Sequence, residues 1–85
     1  MHTTPVTQPL WQEIAAKYKA QSVNDRFLRM EEVRAKTGKS KSAIYREIAE
    51  GTFPAPVRTG KRAIAWRQST IDAWMEAVEQ AAMEG

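Results

Sequence analysis

The chain has 85 residues, 42% of them hydrophobic and none of them cysteine, with a formal net charge of +3. That length holds one domain, and a domain so small buries only about 60% of its unfolded-chain surface, which leaves no room for a sizeable enclosed active site. The missing cysteines exclude disulfides and thiolate metal sites and fit a reducing cytoplasm.

In chain order, residues 1–8 ("MHTTPVTQ") are polar and read as a tail. In "PLWQEIAAKYKAQ", Pro9 suits a first helical position. Leu10, Trp11, Ile14, Ala15 and Tyr18 follow at helical spacing, so a helix is predicted over Pro9–Ala20. "SVND" breaks the pattern and reads as a linker. Residues 1–25 are therefore a tail with an added helix, and residues 26–85 are the main domain.

Phe27 and Leu28 read as a short strand or an extended lead-in. Met30 and Val33 then lie one turn apart, with Glu31 and Glu32 early in the helix, where carboxylates meet its positive end. Gly38 stops this helix, and Ser40 can cap the next by accepting from a free backbone N–H. That next helix runs over Lys41–Glu50, with Ile44 and Ile48 on one face and Gly51 as its stop. Pro54 and Pro56 forbid helix in "TFPAPVR". Ala55–Arg58 and Ala63–Trp66 flank "TGKR" and read as a β-hairpin with a basic tip. A last helix is predicted with Ser69 as cap, Asp72 as a capping-box partner, and an apolar stripe of Ile71, Trp74, Met75, Val78 and Ala82. The fold expected is mainly α with a small β-hairpin, in the order of a winged helix-turn-helix.

Charge sharpens the reading. Residues 26–67 hold eleven Lys or Arg against four Asp or Glu, a net of +7, whereas residues 68–85 carry −4 and residues 1–25 balance. A basic middle beside an acidic end points to a polyanion partner on one face. The plain alternative is a solvated surface whose charges happen to cluster.

The stretch "TGKSKSAIYREI" resembles the end of a phosphate-binding loop, but that loop needs glycine where Val33 stands and a strand where a helix is predicted. His2 is the only histidine, so no histidine metal cluster can form. No serine has a facing base, and neither an enzyme nor a cofactor is expected.

The helix-turn-helix reading fits better. In that motif, residues near the start of the second helix meet base edges in the major groove. With about 100° per residue, Ser42, Arg46 and Ala49 lie broadly opposite Ile44 and Ile48, with Tyr45 to one side. Arg46 can fork onto guanine O6 and N7. Lys39, Ser40, Lys41 and Ser42 can reach bases or phosphates, and the Tyr45 hydroxyl can donate to a phosphate. In the wing, Arg58, Lys61 and Arg62 are the candidates. Each has a plainer reading: Arg46 paired with Glu50, Tyr45 packed, the lysines solvated, and the wing cations merely blunting an edge strand. Phe53, Trp66 and Trp74 are expected in the core.

These residues resemble the AlpA-like family of phage and prophage DNA-binding regulators, relatives of excisionases with a MerR-like winged helix-turn-helix. The likeness runs over "RFLRMEEVRAKTGKSKSAIYREIAEGTFPAPVRTGKRAIAW" and into "STIDAWM". Its marks are "FLR", the glycine-serine turn before "IYR", "GTFPAPV", "GKRAIAW" and "DAW", in order. The resemblance implies sequence-specific binding of double-stranded DNA by Lys41, Ser42, Tyr45 and Arg46, with the segment around Lys61 in the wing. It also implies control of a prophage or mobile element. The expected protein is a cytoplasmic transcriptional regulator, on the nucleoid when bound, with no membrane association. Two alternatives stay open: an excisionase that bends DNA for an integrase, and a protein-interaction adaptor docking through Pro9–Ala20. An integrase, RNA polymerase or a second copy on DNA are the protein partners in view.

Overall fold

The computed structural model describes residues 11–17 and 25–84. Residues 11–17 form helix α1. The remaining elements are β1 (Phe27–Leu28), α2 (Met30–Thr37), α3 (Lys41–Glu50), β2 (Val57–Arg58), β3 (Ile64–Arg67) and α4 (Gln68–Glu84). The predicted ends of α1, with Pro9, Leu10 and Tyr18, lie outside the described residues, as does the tail. No helix among the described residues is long and apolar enough to cross a membrane.

The sheet is antiparallel with β3 in the centre, in the order β1-β3-β2. Phe27 and Leu28 pair with Arg67 and Trp66, and Val57 and Arg58 pair with Ala65 and Ile64. The hairpin is shorter than predicted and begins later, at Val57. Pro54 and Pro56 have no N–H to give to a ladder, so pairing starts beyond them.

Local signals set the helix ends. Gly38 and Gly51 take left-handed backbones, with φ of 75° and 82°, and close α2 and α3. Ser40 caps α3, its hydroxyl accepting from the Ala43 N–H at 3.1 Å. Before α2, the Glu32 carboxylate accepts from the Arg29 N–H at 2.9 Å and from the Arg26 guanidinium at 2.9 Å. The Arg29 backbone bond, with help from Arg26, holds the Glu32 carboxyl below its ordinary pKa.

The start of α4 departs from expectation. Strand β3 runs straight into α4, so Arg67 occupies the cap position, and arginine offers no acceptor. Ser69 lies inside the helix, buried at 3% exposure. Its N–H and hydroxyl both donate to Asp25, at 3.0 and 2.8 Å. Arg67 adds a 3.0 Å bond to the same carboxylate. Asp25 is therefore the cap, and Asp72 instead pairs with Lys36 on α2 at 3.0 Å.

Burial pushes the Asp25 carboxyl up, but the two Ser69 bonds and Arg67 outweigh it and hold the pKa below the ordinary aspartate value. A carboxyl depressed in the folded state adds stability that is whole above its unfolded pKa, about 3.9. That stability goes as pH falls through the lower folded value. Asp25→Ala is expected to cost about 1–2 kcal/mol at neutral pH, the loss of a helix cap. In urea titrations the gap between wild type and variant should close on acidification. A gap that persists undiminished in acid would contradict the cap.

The core gathers on one side of the sheet. Its largest fully buried side chains are Trp66, Phe53, Ile44, Ile71 and Val33, and Trp11 and Ile14 of α1 join the same cluster. Two of the core indoles donate to backbone: Trp66 to the Pro54 carbonyl at 2.8 Å and Trp74 to that of Thr52 at 2.9 Å. Phe53 sits edge-on to both rings, with centroids 6.3 and 4.8 Å away.

The predicted stripe of α4 is corrected in part. Ile71 and Trp74 are buried, but Ala73 and Ala77 complete the buried face, while Met75, Val78 and Ala82 are exposed. Two alanines let the helix approach the core closely, and that close approach turns the larger residues toward its flank.

Candidate nucleic-acid interface

Helix α2, the turn Gly38–Lys39–Ser40 and helix α3 form a helix-turn-helix. Ile44 is fully buried and Ile48 packs against the core. Ser42, Arg46 and Ala49 lie broadly on the opposite face, with Tyr45 to one side and Lys41 at the start of the helix, and all five are exposed. The burial of Ile44 and Ile48 thus fixes which side chains look outward. Tyr45 is 47% exposed and not packed away.

Arg46 has a side chain 65% exposed, with its Nε 3.9 Å from Glu50 and its Nη2 3.8 Å from Glu47. Both distances exceed hydrogen-bond range. Exposed pairs of this kind contribute little, so the guanidinium is available to another acceptor.

Lys39 behaves otherwise. Its ammonium lies 2.8 Å from Glu47, with both side chains mostly buried, and stands 5.4 Å from the Trp74 ring centroid. Ser40 is exposed, but its hydroxyl is engaged in the cap.

In the wing, the Thr59 N–H donates to the Ala63 carbonyl at 2.9 Å and closes the loop. Arg58 reaches back to the Lys61 carbonyl at 3.3 Å, bracing the tip from within. Lys61 and Arg62 are exposed and have no acidic partner among the described residues.

Sorting the cations by partner exposes two that sequence reasoning passed over. Arg26, Lys36 and Arg67 are tied to Glu32, Asp72 and Asp25. Arg29 and Arg34 are exposed and form no salt bridge among the described residues. The sequence holds no signal for this, because Glu31, at i−3 from Arg34, was as good a partner on spacing alone.

A helix-turn-helix followed by a short basic hairpin on a three-stranded sheet defines a small winged helix-turn-helix protein. Residues 26–79 match the family model of the Prophage CP4-57 regulatory protein (AlpA). The chain belongs to that family of prophage regulatory proteins. It is also 45% identical over 51 residues to the uncharacterized protein ORF88 of Enterobacteria phage P4, covering 60% of this chain and 58% of that one. The chain thus spans less than two thirds of that relative's length. No solved structure matches it.

Proposed function

We propose that the protein regulates transcription of a prophage or mobile element by binding a specific double-stranded DNA sequence. Helix α3 lies in the major groove, and the wing lies on the adjacent backbone or minor groove. The observation that carries this reading is the distribution of unspent positive charge. Apart from Lys17 on α1, every described Lys or Arg that forms no salt bridge to another described residue falls in residues 29–41 or 58–62. Those segments are α2 with the start of α3, and the wing. Arg46, only loosely held, projects from the middle of α3.

Within this reading Arg46 reads a base, while Lys41, Arg34 and the wing meet phosphates. The test is a set of duplexes selected from a random pool by the wild-type protein. Arg46→Ala is expected to lose about 1–3 kcal/mol on the selected duplex and to relax one base position. Equal loss on selected and random duplexes would remove Arg46 from base reading. Absence of salt-sensitive binding to any duplex would overturn the function itself.

A further inference from the structure

We infer that Lys39 is a positioning residue for Arg46 rather than a DNA contact: by occupying Glu47, it leaves Arg46 free to reach a base. The inference rests on the reading of Arg46 just given.

Two cations converge on one carboxylate oxygen. Glu47 Oε2 lies 2.8 Å from Lys39 Nζ and 3.8 Å from Arg46 Nη2. The first is a charge-assisted hydrogen bond and the second is not. Lys39 comes from the turn, Glu47 and Arg46 from α3. The Lys39 ammonium is further held over the Trp74 ring of α4, where the face of the indole attracts a cation. The Glu47 backbone is fixed as well, its carbonyl accepting from the Thr52 N–H at 2.9 Å. Glu47 is therefore anchored with its carboxylate aimed at Lys39.

Remove the Lys39 charge and that carboxylate, mostly buried, has lost its near partner. A buried carboxylate without a partner is costly, so it recruits the nearest cation. Arg46 needs to move only about 1 Å to form a full charge-assisted bond. A guanidinium held that way must break the bond before it can fork onto a base. Glu50 at 3.9 Å offers no such trap, since its side chain is half exposed and well hydrated.

The experiment compares wild type, Lys39→Met, Lys39→Arg and the double variant Lys39→Met with Glu47→Gln. Methionine keeps an apolar stem against Trp74, and thermal unfolding reports that each variant folds. On the selected duplex, Lys39→Met is expected to bind about tenfold more weakly, the worth of one charged hydrogen bond. The slope of log affinity against log salt should be unchanged. Lys39→Arg and the double variant should recover most of the loss. Without DNA, exchange of the Arg46 Nη protons with solvent should slow in Lys39→Met and recover in the double variant.

A salt slope smaller by about one phosphate, with no recovery in the double variant, would make Lys39 a backbone contact and overturn the inference. Unchanged Arg46 proton exchange in Lys39→Met would overturn it too, whatever the DNA results. Failure of base reading would show separately, as Arg46→Ala losing equally on selected and random duplexes.

Discussion

Trp66→Ala is expected to destabilise the domain by about 3–5 kcal/mol, the range for deleting a fully buried large aromatic. Trp66 is 1% exposed at the centre of the sheet, on β3. Its loss opens a cavity against Phe53, whose edge contact it supplies, and strips the Pro54 carbonyl of its donor. Domains of ordinary stability hold only about 5–15 kcal/mol in total. A chain this short sits at the low end of that range, so the variant should be largely unfolded at growth temperature. Urea titration followed by circular dichroism measures it. Trp66→Phe separates the contributions: it keeps a ring but not the indole N–H, and should retain a cooperative transition. A loss below about 1 kcal/mol for Trp66→Ala would mean that Trp66 does not anchor the core.

The second large effect belongs to the wing. Lys61→Ala with Arg62→Ala is expected to lower affinity for selected and random duplexes alike. It should also reduce the slope of log affinity against log salt by about two. Both side chains are exposed at the tip, and the loop beneath them is closed by its own backbone and by Arg58. Their removal should therefore leave the fold intact. An unchanged salt slope would show that these cations serve β2, an edge strand, by keeping other strands off it.

Much of this architecture was legible because its causes are local. Gly38, Ser40 and Gly51 act on backbone within four or five residues of themselves, and Ile44 and Ile48 set the orientation of α3 by spacing alone. Three features that are not legible in the sequence share a different cause. Serine before an apolar stripe usually reads as a cap, whereas the partner of Ser69, Asp25, stands 44 residues away. The large side chains of α4 suggest a stripe through Met75 and Val78, yet Ala73 and Ala77 are what the core accepts. On sequence alone Lys39 reads as a solvated lysine or a phosphate ligand, with no sign of Glu47. Its pairing with Glu47 depends on the turn bringing residues eight apart together. In each case the deciding partner is fixed by tertiary packing and by no local pattern.

The Asp25 cap has a consequence for how the protein is divided. The stretch shared with the family model begins at residue 26. A fragment cut to that stretch would keep every side chain assigned to DNA and still lose the carboxylate that seats α4. It would lose Trp11 and Ile14 from the core as well. The boundary drawn by kinship and the boundary drawn by folding therefore fall at different residues. A short fragment that fails to bind would report a missing foundation, not a missing contact.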